Sequence, residues 1–228
     1  MRLLRGRSSE DDEGMTLVEL LVAMAIFSVV LAVFFGGLMT MTRSAVRAQD
    51  VTDSGDAVRK AFQMMDKQIR YANSINSPGP GASGAHYVEF LTTSLPGGQE
   101  PLCTQWRFDP TARVLQVRTW RDVPTGTRSA WNTIATDVRN DMLGDLAAGI
   151  APNPPFVLER AGGTLTRQQL MVSVDVGRGS AGPGSVTGAD VATVFVARNS
   201  SYESPSNADL NGDGVSDTFI CTSHLERP

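Results

Sequence analysis

The chain has 228 residues, with 24 acidic against 20 basic side chains and a formal net charge of −4 at neutral pH. That balance argues against a surface built chiefly for nucleic acid, which requires a basic face. The length allows one membrane helix and one globular domain of ordinary size.

Residues 1–14 carry Arg2, Arg5 and Arg7, then the acidic cluster Glu10-Asp11-Asp12-Glu13, and end at Gly14. From Leu17 to Met41 apolar side chains succeed one another almost without a break. At ~1.5 Å rise per residue, about 25 such residues cross a ~30 Å hydrocarbon core. A secretory signal peptide is excluded by the length of this run and by the acids that precede it. One carboxylate, Glu19, lies within the run. A charge near the middle of a membrane helix costs about 2.5 to 3.5 kcal/mol, and less near an end, so Glu19 is expected to serve a cationic partner.

Gly36-Gly37 weakens the helix by about 1 kcal/mol per glycine relative to alanine. The pair suits either local unwinding or close packing of small residues between helices. Beyond Thr42 the chain turns polar, yet Val58, Phe62, Met65, Ile69 and Ala72 keep helical spacing, with Arg59, Lys60, Asp66, Lys67 and Arg70 on the opposite side. One helix is therefore predicted from Met15 to Ala72. Residues 15–41 form its transmembrane half and 42–73 its amphipathic half.

Ser, Pro and Gly over residues 73–85 end the helix. Residues 86–93 alternate as a strand. Residues 104–109 and 113–120 read as a hairpin around Asp109-Pro110-Thr111-Ala112, with Trp106, Phe108, Val114 and Leu115 as core candidates. The stretch 121–155 is irregular, with a short helix expected near 137–147. Strand-like runs come next at 156–160, 169–176 and 191–198, and 177–188 reads as a mobile glycine-rich loop. Strands after one long helix imply an α+β fold, with an antiparallel sheet laid on the apolar stripe and a globular domain over residues 74–228.

Near the end stands Asp209-Leu210-Asn211-Gly212-Asp213-Gly214-Val215-Ser216-Asp217. Oxygen donors at positions one, three, five and nine, with glycine at six, match the first part of an EF-hand-like calcium loop. Asp209, Asn211, Asp213 and Asp217 would supply side-chain oxygens, and Val215 a carbonyl. The twelfth position is Ile220 in place of the bidentate glutamate, so a solvated turn is the alternative. Only His86 and His224 offer imidazoles, and no nucleophile elbow, phosphate-cradling loop or zinc-binding H-E-x-x-H motif occurs. Neither an enzyme nor a small-molecule substrate is expected.

The segment Glu13-Gly14-Met15-Thr16-Leu17-Val18-Glu19-Leu20-Leu21 resembles the class III signal of type IV pilins and pseudopilins. The resemblance implies that a prepilin peptidase removes residues 1–14 by cutting between Gly14 and Met15, and that Met15 is then methylated. It also implies that Glu19 pairs with the terminal amine of a neighbouring subunit. Later pieces look like the larger minor pilins and pseudopilins of the J or W type. These are Ala57-Val58-Arg59-Lys60-Ala61-Phe62, Asp66 to Ala72, Trp106-Arg107-Phe108 with Arg118, Ile134-Ala135 with Val138, Phe156-Val157-Leu158, and Arg198-Asn199. Taken together, these likenesses imply a minor structural subunit of a type IV pilus or type II secretion-like filament. It would sit single-pass in the cytoplasmic membrane with its C-terminal domain outside, and reach the cell surface on assembly with other subunits. Cys103 and Cys221 would then share an oxidising compartment, where an even pair forms a disulfide; two separate thiols are the alternative. The competing readings are a tip adhesin or DNA-uptake subunit, and an unprocessed membrane-anchored solitary domain.

Overall fold

The computed structural model describes residues 16–144, 147, 151–178, 188–213 and 216–228. The chain divides into two compact units, Met1–Val46 and Arg47–Pro228, and helix α1 (Leu17–Arg70) contributes to both.

In the first unit α1 runs without interruption through Gly36 and Gly37. Leu21, Phe27, Phe35 and nearly all the other large apolar side chains of residues 17–41 are exposed in the single chain, Leu31 being half-buried, and the helix is long and apolar enough to cross a membrane. Three of its hydroxyls find partners within the helix. Ser28 donates to the Met24 carbonyl at 2.8 Å, Thr40 to Gly36 at 3.0 Å and Thr42 to Leu38 at 2.9 Å. Such back-bonding satisfies these three hydroxyls without a partner outside the helix.

In the second unit α1 buries Ser54, Val58, Ala61, Met65 and Ile69. The stripe thus turns slightly from the expected one: Ala61 sits at its centre, and Phe62 lies half-buried at its margin against Phe195, ring centroids 5.8 Å apart. A small residue on the centre line lets the sheets approach the helix closely.

Two antiparallel sheets pack on this stripe. The first comprises β1 (Ser74–Ile75), β2 (Gly79–Pro80), β3 (His86–Thr92), β4 (Leu102–Asp109), β5 (Val114–Arg121) and β6 (Asn132–Ala135), in the order β1-β3-β4-β5-β6 with β2 also on β3. The second comprises β7 (Phe156–Glu159), β8 (Gln169–Gly177) and β9 (Gly188–Val196), in chain order. Register sets Val88, Trp106 and Val117 side by side, with Phe108 opposite Leu115. These side chains share one core with Leu170, Val172, Val174 and Val176 of β8. Each such Val or Leu contributes about 1.5 to 3 kcal/mol on burial. Trp106 keeps its indole N–H satisfied by donating to Gln68 Oε1 at 2.8 Å.

Several expectations need correction. Val114 is half-buried and Leu115 is the core residue, because the pleat turns Val114 away with its partner Asp109. Among the described residues of 137–147 there is no helix: Asp137 takes a left-handed φ of 55°, Val138 bridges Val176, and Arg139 N–H donates to the Asp175 carbonyl at 2.7 Å. The segment is spliced onto β8, which offers more backbone hydrogen bonds than an isolated turn of helix. The two-residue β1 and β2 and the short β6 arise in stretches that read as irregular. The supposed loop 177–188 begins and ends in paired strand, Gly177 opposite Gly188. A Cβ at Gly188 would stand 2.2 Å from the Val176 carbonyl oxygen, so only glycine fits there. Residues 179–187 lie outside the described residues.

Candidate functional site

Gly14 and Met15 lie outside the described residues. Immediately after them, Thr16 and Glu19 form a reciprocal cap. Glu19 N–H donates to Thr16 Oγ1 at 3.3 Å, and Thr16 N–H and its hydroxyl both donate to Glu19 Oε2 at 3.0 Å. This is the capping-box pattern T-x-x-E, which satisfies two of the helix's orphan N–H groups at once. The sequence carries the pattern in plain view, yet reading Glu19 only as a partner for another chain overlooks it. The cap holds the carboxylate in the first turn of α1, close behind Met15, where helix-end N–H groups favour negative charge.

The outer face of the first sheet is the second place where functional side chains gather. Cys103 of β4 is bonded to Cys221, 118 residues further on, and both are buried with Trp120 and Ile220. From there the tail continues across the sheet. Asn76 imitates a strand partner for Ile220, accepting its N–H at 2.9 Å and donating to its carbonyl at 3.3 Å. Gln105 and Arg118 both donate to the Glu226 carbonyl at 3.0 Å. Arg227 meets the buried carboxylate of Glu89, and Tyr87 donates to the Pro228 carbonyl at 2.9 Å. Gly81 is required at this crossing, since a Cβ there would stand 2.5 Å from the Arg227 carbonyl oxygen.

Beside the tail, Trp131 stacks with the guanidinium groups of Arg107 and Arg118, 4.2 and 4.3 Å from its ring centre. Burial, and next the charge of Arg128, draws the Arg118 guanidinium down to about 10, still cationic at neutral pH. Arg118 donates to Gln105 Oε1 at 2.7 Å and Arg107 to Gln116 Oε1 at 2.7 Å. His86 is held below the usual imidazole range by burial and then by the charge of Arg227, and its Nδ1 has no hydrogen-bond partner among the described residues. His224 Nε2 lies 3.1 Å from the Val123 carbonyl.

The 209–217 loop draws its oxygen-bearing side chains together but spends them on itself. Asp209 Oδ1 accepts from Gly212 N–H at 2.6 Å, while Oδ2 faces Arg160 at 2.8 Å. Asp217 Oδ2 accepts from the N–H groups of Leu210 and Asn211. Asn211 turns its amide nitrogen toward Asp213 and Asp217. Val215 lies outside the described residues. Among the described residues no group of three or more His, Cys, Asp or Glu side chains is placed to hold a metal ion. Among the described residues the arrangement is a hydrogen-bonded turn.

No curated protein and no solved structure matches the chain. A family model does match at its head, over residues 11–35, a span that covers Gly14, Met15, Thr16 and Glu19. Capped by Thr16 and Glu19 and continued by an apolar helix of membrane-crossing length, the N-terminal segment of this chain carries the prokaryotic N-terminal methylation motif.

Proposed function

We propose that the chain is a minor structural subunit of a type IV pilus or a type II secretion-like filament. In this reading a prepilin peptidase cuts between Gly14 and Met15, Met15 is methylated, and residues 15–41 anchor the subunit in the cytoplasmic membrane until assembly. The globular part stays on the extracytoplasmic side, as the bonded pair Cys103 and Cys221 suits. The observation that carries the reading is the methylation motif over residues 11–35, with Glu19 set at the head of an apolar helix. A carboxylate in a low-dielectric setting needs a cation, and the terminal amine of a neighbouring subunit is of the right charge. A larger pilin of the J or W type is the finer form of the proposal.

The side chains argue for assembly over ligand capture. The basic and aromatic stack of Arg107, Trp131 and Arg118 is engaged by Gln116, Gln105 and the tail, which weighs against an open adhesive or nucleic-acid groove on that face. Calcium at the 209–217 loop is a separate proposal, resting on the spacing of its oxygen donors. No catalytic role is assigned.

Mass spectrometry of the native chain tests the main reading. A mature protein beginning at methylated Met15 is expected, and Gly14→Ala should accumulate as the precursor. A native chain that still begins at Met1 and is missing from purified filaments would overturn it.

A further inference from the structure

The second sheet ends in a long strand with nothing on its far side among the described residues. β9 pairs with β8 in unbroken register from Gly188 opposite Gly177 to Val196 opposite Gln169. The other terminal strands are short: β1 and β2 have two residues each, β6 and β7 four each, while β9 has nine.

The ladder decides which backbone groups β9 leaves outward. In antiparallel pairing, residues alternate between bonding to the partner strand and pointing away from it. Arg139 N–H donates to the Asp175 carbonyl, and Asp175 N–H donates to Asn140 Oδ1, so Asp175 points away from β9. Ala197 N–H donates to the Gln168 carbonyl, which fixes the same alternation at the other end. Hence Ala189, Val191, Thr193 and Phe195 bond to β8, while Asp190, Ala192, Val194 and Val196 turn their N–H and C=O groups outward.

Exposed strand edges are ordinarily protected by Lys, Pro, bulges or brevity. From Gly188 to Val196 there is no Lys, Arg or Pro, and the single charge is Asp190. Next to the edge, on the face away from Phe62, an apolar strip stays open: Val194 is 50% exposed, Val196 40% and Met171 38%, with Met171 directly opposite Val194.

We propose that β9 is a docking edge that accepts an extended segment of a different, neighbouring filament subunit as a tenth strand. Outward N–H and C=O groups repeating every ~6.8 Å are matched as a set only by another extended backbone. The strip of Val194, Val196 and Met171 selects apolar side chains at alternate positions of that segment, and Asp190 selects a Lys or Arg near one end. A second copy fits less well. Full antiparallel self-pairing sets Asp190 opposite Val194 of the other copy, and it demands a two-fold axis that a one-directional filament lacks. The identity of the partner rests on the filament reading, whereas the free edge does not.

The test places a photoreactive benzophenone side chain at position 192 of the full chain, in cells that assemble the filament, with position 202 as control. Irradiation is expected to give an adduct from 192 only, and mass spectrometry should locate the cross-link in a strand of another processed subunit. Val194→Pro removes one outward N–H without touching the β8 ladder and should cut adduct yield by about fivefold, with the melting temperature changed by no more than ~2 °C. If that variant fails to fold, Val194→Lys, which keeps every backbone bond, should give the same loss. A processed, filament-borne chain with no adduct from 192 overturns the docking edge while leaving the filament reading standing. An adduct between two copies overturns the choice of partner, and an unprocessed chain overturns the filament reading itself.

Discussion

Arg227 closes on Glu89 through two hydrogen bonds, Nε to Oε1 at 3.0 Å and a terminal nitrogen to Oε2 at 2.6 Å, with the Glu89 side chain wholly buried. Gln105 and Asn76 donate to the same carboxylate at 2.8 and 3.1 Å, so its lone pairs are met from three sides. The pair fastens the tail at a second point beyond the Cys103–Cys221 bond.

Removing one member strands the other. Arg227→Ala is expected to cost about 3 kcal/mol, because a buried carboxylate loses its counter-charge. Glu89→Gln combined with Arg227→Met should recover at least half of that loss, since no buried charge then remains. Thermal unfolding of the purified chain measures both, and an unchanged melting temperature for Arg227→Ala would show that the pair does not hold the tail.

Thr16 and Glu19 separate two roles that a single substitution would confuse. Thr16→Ala deletes the cap alone and should weaken the start of the helix by about 1 kcal/mol while leaving incorporation into filaments intact. Glu19→Ala deletes the cap and the carboxylate, and should leave membrane insertion unchanged but remove the subunit from filaments. Immunoblots of sheared filaments against membranes provide the readout; equal incorporation of both variants would reduce Glu19 to a cap.

Calcium binding at 209–217 requires Asn211 to turn its oxygen inward and Asp209 to give up Arg160. Any affinity should therefore be weak, on the order of 10⁻³ M, as in extracellular modules. Calcium should raise the melting temperature of the chain, Asp217→Asn should abolish the rise, and Arg160→Ala should bring it on at lower concentration. No heat in a calorimetric titration, and no shift in melting, would remove calcium from the account.

His86 is expected to make the domain sensitive to mild acid. Its folded-state pKa is lowered, by burial first and by Arg227 second. Between the unfolded imidazole value of about 6.5 and the lower folded one, the unfolded chain binds the proton that the folded chain refuses. Stability from this group is thus complete above about 6.5 and declines as pH falls through that window. His86→Gln should flatten the decline in melting temperature as pH falls below about 6.5, and an identical slope would assign the effect to other groups.

The long helix is legible in the sequence because its apolar run and its stripe at Val58, Met65 and Ile69 are local patterns, and the β4–β5 hairpin because Asp109 announces its turn. Asp109 Oδ1 accepts from the N–H groups of Thr111 and Ala112, both at 2.9 Å. The 137–140 segment defeats local reading because its partner, β8, lies some 35 residues away in the chain and overrides local preference. The capping box at Thr16 is readable from T-x-x-E alone, although the membrane setting draws attention to the charge of Glu19 and away from its hydrogen bonds. The clasp of Glu89 by Arg227 has no local signature, because two isolated charges 138 residues apart carry no mark of each other.

The span between Cys103 and Cys221 also sets a schedule. For a subunit whose helix stays in the bilayer, β3, β4 and β5 are neighbours in the chain and can pair as soon as they emerge, but the outer face of their sheet stays open until Cys221 arrives 118 residues behind Cys103. Trp120 and the Glu89 carboxylate wait in water until then. Under the proposed filament reading, oxidation then becomes a step of maturation: a reduced subunit would already be anchored, yet would still wear a sheet that the tail has not covered.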